Sequence, residues 1–108
     1  MLTGAFNKET KFSEDDWRGG GHGMSAYDAL FAPGKFERSL DVVDALRPIA
    51  ERIGVSLAQL ALAWALHQKG VSGVIAGSRS PKHVRDNAGG GSVELSQDDL
   101  EEIERVLV

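Results

Sequence analysis

Val74-Ile75-Ala76-Gly77-Ser78-Arg79-Ser80-Pro81 is the stretch on which the reading of this chain turns. Val74 and Ile75 lie at the centre of a short apolar run, Val71 to Ala76, with the length and β-branched content of one buried strand. Pro81 occupies the place of a first helical residue, where its absent N–H costs nothing, and Ser80 stands before it as an N-cap. The stretch therefore predicts a strand that delivers Gly77, Ser78 and Arg79 onto the amino end of a helix. Unpaired amides at a helix start, a hydroxyl and a guanidinium together favour an anion. Arg can hold a phosphate through two charge-assisted bonds of about 1.5–3 kcal/mol each. The same residues also fit a plain Ser-Pro cap beside a solvated arginine, and spacing alone leaves both readings open.

Downstream, the helix opened by Pro81 is predicted to run to about Ala88, where Gly89-Gly90-Gly91 breaks it. Ser96 then caps a last helix with Asp98 and Asp99 in its first turn, favourable to the helix dipole, and with Leu100, Ile103 and Leu107 as its apolar stripe. The run Asp98, Asp99, Glu101, Glu102 reads as a solvated face. Upstream, Ser56 and Gln59 form a capping box that starts a helix carrying Leu57, Leu60, Ala61, Leu62, Ala63, Trp64, Ala65 and Leu66 and ended by Gly70. A helix apolar nearly all round is normally covered on more than one side, and this chain has little to cover it with.

Further upstream, Val42, Leu46, Ile49, Ala50 and Ile53 make a helical stripe in a segment that begins at Glu37 and closes at Gly54. Pro48 predicts a kink near Asp44 to Arg47, or two abutting helical pieces. Asn7 to Phe36, with Gly19-Gly20-Gly21-His22-Gly23 at its centre, reads as a long loop of the kind that forms lids or stays disordered. Its aromatics Phe12, Trp17, Tyr27 and Phe31 have no evident partner within the chain. One convincing strand cannot pair its own edges, so a sheet requires further polypeptide.

The 108 residues allow one small domain, and 42% apolar content suffices for a core that buries roughly 65% of the unfolded surface. Twelve Lys and Arg against 16 Asp and Glu leave a net charge of −4, which argues against general binding to nucleic acid. The absence of cysteine excludes disulfides, thiolate nucleophiles and Cys-rich zinc sites, and fits a reducing cytoplasm. The amino-terminal residues carry no apolar export signal, and no run reaches the ~18 apolar residues of a membrane span. Leu2-Thr3-Gly4-Ala5-Phe6 reads as the end of an element that begins earlier.

Three stretches together resemble the C-terminal third of an aldo-keto reductase: Ala45-Leu46-Arg47-Pro48-Ile49-Ala50-Glu51-Arg52, Ser56-Leu57-Ala58-Gln59-Leu60-Ala61-Leu62-Ala63-Trp64, and Val74 to Pro81 with Asn87. The resemblance covers nearly the whole chain. It implies an α/β fold, a C-terminal piece of a (β/α)8 TIM barrel, mostly helical with one or two short strands. Residues 1–36 are then the end of barrel strand seven and a long substrate-side loop. Residues 37–108 hold the last barrel helices, including Leu57 to Gln68, strand eight at Val74 to Ala76, helix eight at Pro81 to Ala88, and a closing helix. The family binds NADPH and reduces aldehydes or ketones. By resemblance Ser78 and Arg79 meet the adenosine 2′-phosphate, Gly77 allows close approach, and His83, Asp86 and Asn87 face the adenine and ribose. Their i, i+3, i+4 spacing puts the last three on one helical face. Leu2 to Gly4 match the segment beside the pyrophosphate, and Ala76 stands where many relatives have Pro.

The resemblance also implies an absence. The Tyr, Lys, Asp and His that serve the family's hydride transfer belong to strands preceding this segment, so no catalytic residue is assigned. Tyr27, the only tyrosine, takes a packing or lid role. The expected partners are a nicotinamide dinucleotide, NADP(H), and in the complete enzyme a small carbonyl substrate, with no nucleic acid, membrane or metal. Two other readings compete. One is a non-catalytic interaction fragment or truncated gene product. The other is a helix-turn-helix built on Ile49 to Ser56, whose following helix offers only Gln59 to base edges. His22, His67 and His83 share no metal-ligand spacing, and His67 takes a structural role.

Overall fold

The computed structural model describes residues 1–16, 18, 28–32 and 34–108. The elements in chain order are α1 (Asp28–Phe31), α2 (Lys35–Ile53), α3 (Leu57–Leu66), α4 (Pro81–Gly89), a 3-10 turn (Gly90–Ser92) and α5 (Gln97–Leu107). The core lies where α2, α3 and α5 meet, with Leu46, Ile49, Ala50, Leu60, Ala63, Leu95 and Ile103 buried together.

Local signals set most element boundaries. Gly54 closes α2 with φ 79°, the left-handed conformation that glycine adopts without a Cβ penalty, and its N–H donates to Ala50 O and Glu51 O. Ser56 and Gln59 form the expected capping box on α3. The three-residue connection Gly54-Val55-Ser56 turns the chain by 88° between α2 and α3. α2 is one uninterrupted helix of 19 residues with Pro48 inside it, so two abutting pieces do not form. It starts at Lys35, two residues before the expected Glu37, because Glu37 Oε2 accepts the Gly34 N–H at 2.7 Å and satisfies an amide at the helix entrance.

Among the described residues no strand forms, and the expected strand at Val71 to Ala76 is irregular. The reason is long-range. A strand needs N–H and C=O partners from a neighbour, and no second strand among the described residues supplies them. The apolar residues of the run consequently face water, with Val71 40%, Val74 39% and Ile75 103% exposed. Met1 to Gly4, expected as the exit from barrel strand seven, is a turn closed by Gly4 N–H donating to Met1 O at 3.2 Å.

Part of the expected loop at Asn7 to Phe36 is ordered by aromatic packing. Phe12 and Phe31 do find partners: Phe6 and Phe36 complete a four-ring cluster with centroid separations of 5.5–6.3 Å. The Arg18 guanidinium sits 4.9 Å from the Phe12 ring centroid, and its hydrogen bonds to Asp16 hold that carboxyl down at about 2. Trp17, Tyr27 and the run Gly19 to Gly23 lie outside the described residues.

The acidic face of α5 also departs from expectation. Asp99 is 8% exposed, accepts the Ser96 hydroxyl at 2.7 Å, and pairs with Arg52 of α2 at 2.9 Å. Glu102 shares the same guanidinium. Ser96 first, then Arg52, holds the Asp99 carboxyl below the usual carboxylate range against the opposing effect of burial. Half of the presumed solvated face is thus a clasp between α2 and α5.

Candidate functional site

The amino end of α4 projects beside α3, and the space between them is a cleft of about 530 Å³. Gly77, Ser78, Arg79, His83, Asp86 and Asn87 all line it. The i, i+3, i+4 face inferred for α4 is therefore the face turned to the cleft. Thr3 and Ala5 line it from the amino-terminal turn, and Ser56 and Ala58 from the start of α3. Gly4 makes the first of these possible. Its φ of 71° is left-handed, a conformation glycine adopts without a Cβ penalty, and the turn lies against the Leu57 side chain of α3.

Each wall has a distinct chemistry. Arg79 is exposed and has no ion-pair partner among the described residues. The Ser78 hydroxyl donates to Ser80 O at 3.1 Å and accepts the Ser80 N–H at 3.2 Å, which shapes the turn into α4. Ser80 occupies the expected N-cap position with Pro81 at the first turn, but its hydroxyl makes no capping bond. The first-turn amides of α4 thus lack the side-chain acceptor that the sequence predicts, and a helix start in that state attracts an anion. Nothing lies within 4 Å of a Cβ built at Gly77, leaving that side of the turn open. Lys82 and Arg85 add positive charge on the same helix, whereas Asp86, an acceptor when ionised, stands further along the cleft.

Asp86 is held from behind. Its Oδ2 accepts the Ser56 hydroxyl at 2.9 Å, and its backbone carbonyl accepts Gln59 Nε2 at 2.9 Å. Sequence reasoning saw Ser56 and Gln59 only as a cap, because their contact with Asp86 spans about thirty residues. Two glycines set the closeness of this packing. Gly89 and Gly90 have ordinary helical φ values of −59° and −60°, yet a Cβ at Gly90 would lie 3.2 Å from Leu62 Cβ and 3.3 Å from Gln59 Cα. The expected breaker therefore passes from α4 into the 3-10 turn against α3 instead of releasing the chain. His67 caps the far end of α3, with Nδ1 2.7 Å from Ala63 O and Nε2 accepting the Leu95 N–H at 3.4 Å.

Other candidate sites gain little. The α2–α3 bend has the shape of a helix-turn-helix, but Gln59, the one base-reading side chain there, is spent on Ser56 and Asp86. Among the described residues no group of three or more His, Asp or Glu is placed to hold a metal ion. No single helix among them is long and apolar enough to cross a membrane.

The helix start of α4, the turn at Ser78 and Arg79 and the polar face of α4 thus converge on one cleft. A family model for the Aldo/keto reductase family matches residues 1–108, and the chain belongs to that family. Membership implies that its helices are those of a TIM barrel. The chain is 27% identical over 106 residues to Aldo-keto reductase str7 of Strobilurus tenacellus, covering 98% of this chain and 30% of that protein. It is 33% identical over 87 residues to a probable voltage-gated potassium channel subunit beta of Arabidopsis thaliana, covering 81% of this chain and 25% of that one. The chain thus spans less than a third of the curated relatives it matches.

Proposed function

We propose that this chain carries the adenosine 2′-phosphate site of an NADP-dependent aldo/keto reductase and does not by itself perform hydride transfer. The observation that supports it is the convergence of Gly77, Ser78, Arg79, His83, Asp86 and Asn87 on one cleft. The donor set suits the group. Arg79, Ser78 and the uncapped amides of α4 match a dianionic phosphate, while Asp86 and Asn87 match the hydroxyl and amino donors of an adenosine. Bound NADPH supplies the hydride that the family delivers to an aldehyde or ketone. The residues here bind and orient its adenosine end, and Gly77 lets the phosphate approach the backbone. No catalytic role is assigned to any of them, since the Tyr, Lys, Asp and His group belongs to barrel strands preceding this segment. A cysteine-free surface of net charge −4 accords with a cytoplasmic protein.

Calorimetric titration tests the assignment. The chain is expected to bind adenosine 2′,5′-bisphosphate more tightly than adenosine 5′-monophosphate, and Arg79→Ala to abolish most of that preference, about tenfold or more. An unchanged preference removes Arg79 from its role. Carbonyl reduction by the purified chain, followed through NADPH absorbance, would overturn the non-catalytic assignment. A second reading, a non-catalytic interaction segment, is favoured by the exposed apolar residues Val71, Val74 and Ile75. It predicts concentration-dependent association with no nucleotide preference.

A further inference from the structure

Ser56 is a polar residue of the cleft to which the nucleotide reading gives no task. It stands at the N-cap of α3, not on α4, and enters the cleft through four hydrogen bonds shared by three residues. Its hydroxyl accepts the Gln59 N–H at 3.1 Å and donates to Asp86 Oδ2 at 2.9 Å. Its own N–H donates to Gln59 Oε1 at 3.1 Å, and Gln59 Nε2 donates to the Asp86 carbonyl at 2.9 Å. Both the backbone and the side chain of Asp86 are thereby fixed against the end of another helix.

The proton inventory decides what Ser56 can do. A serine hydroxyl has one proton, and here Asp86 takes it, so Ser56 has none to offer a ligand. Asp86 Oδ1, by contrast, has no hydrogen-bond partner among the described residues, and Asp86 lines the cleft. The terminal torsion of an aspartate is broad and roughly two-fold, so an untethered carboxylate samples many settings. A bond to Oδ2 selects one of them and leaves Oδ1 as the acceptor for the cleft.

We propose that Ser56 is a positioning residue for nucleotide recognition, which tethers Asp86 Oδ2 so that Oδ1 receives a hydrogen-bond donor from the adenosine of the ligand. The assignment rests on the nucleotide reading above. It predicts that Ser56 acts on binding through Asp86 alone, which separates it from a residue that merely starts a helix. Ser56→Gly is the informative change, because glycine is tolerated at an N-cap and the hydroxyl is lost while α3 is largely kept.

A double-mutant cycle on the whole chain provides the test, with adenosine 2′,5′-bisphosphate as the titrant and circular dichroism as the check on helix content. Ser56→Gly is expected to weaken binding about five- to tenfold, and Ser56→Thr to restore it to within about twofold. In an Asp86→Ala background Ser56→Gly is expected to have no further effect. Should the glycine variant fail to fold, Ser56→Cys, whose thiol is a weak donor, enters the same cycle in its place. An equal fold-loss in both backgrounds overturns the role of Ser56 while leaving the nucleotide site intact. A wild-type chain with no preference for the bisphosphate over adenosine 5′-monophosphate overturns the nucleotide reading itself, and the role of Ser56 with it.

Discussion

Replacing Gly90 by alanine sets two known effects against each other. The native φ of −60° and ψ of −28° suit any L-residue, so alanine gains about 0.4–1 kcal/mol through reduced freedom of the unfolded chain. The added methyl, however, lies 3.2 Å from Leu62 Cβ, 3.3 Å from Gln59 Cα and 3.4 Å from Gln59 O. These are a side-chain stem and a helix backbone, not the tip of a flexible group, so relief requires the 3-10 turn, and the end of α4 that leads into it, to move off α3. Overpacking of this kind costs about 1–3 kcal/mol, and the net expectation is a loss of about 1–2 kcal/mol. Thermal unfolding by circular dichroism should show a midpoint lowered by roughly 4–8 °C for each kcal/mol. Gly91→Ala is the matched control, since nothing lies within 4 Å of its Cβ, and it should be neutral or slightly stabilising. Displacement of α4 also strains the Gln59 to Asp86 bond, so Gly90→Ala should weaken adenosine 2′,5′-bisphosphate binding while Gly91→Ala does not. A Gly90→Ala protein as stable as its Gly91→Ala counterpart would refute close helix approach as the reason for the glycine.

Three further outcomes are expected. The Asp99 carboxyl is held below its ordinary value of 3.8, so its stabilisation is present above that pH and lost as pH falls below it; Asp99→Asn should flatten the acid limb of a stability profile, and parallel limbs would count against the clasp with Ser96 and Arg52. Leu60, 2% exposed at the centre of the core, should cost about 2–5 kcal/mol when cut to alanine, measured by urea unfolding, which is enough to unfold a marginal chain. Ile75→Ser should leave the unfolding midpoint within about 0.5 kcal/mol of wild type and lower any self-association seen by sedimentation, because the native side chain is fully exposed.

What the sequence disclosed was local. The Ser56 to Gln59 box, the Ser96 cap and Gly54 act within a few residues and are found where their chemistry predicts, whereas the stripe of α2 holds at Leu46, Ile49 and Ala50 but buries Phe36, Leu40 and Val43 in place of Val42 and Ile53, which are only half-buried. The helical face of His83, Asp86 and Asn87 was legible for the same reason, as a consequence of helical period. Whatever depended on distant partners was not. Val71 to Ala76 has the composition of a strand but no neighbour among the described residues to pair with. Asp99 looked solvated because Arg52, which takes it out of water, is 47 positions away. The rings around Phe12 escaped notice because Phe6 and Phe36 belong to separate segments, and Ser56 was read as a cap because Asp86 lies across the cleft.

The ring cluster has a bearing on how such a chain tolerates change. Phe12 and Phe31 stand with centroids 5.5 Å apart, and both pack on Phe36 of α2 at 5.7 Å. The cluster ties Phe6 and Phe12 of the amino-terminal stretch to α1 and to the first turn of α2, so a change at any one ring is felt by segments far apart in sequence.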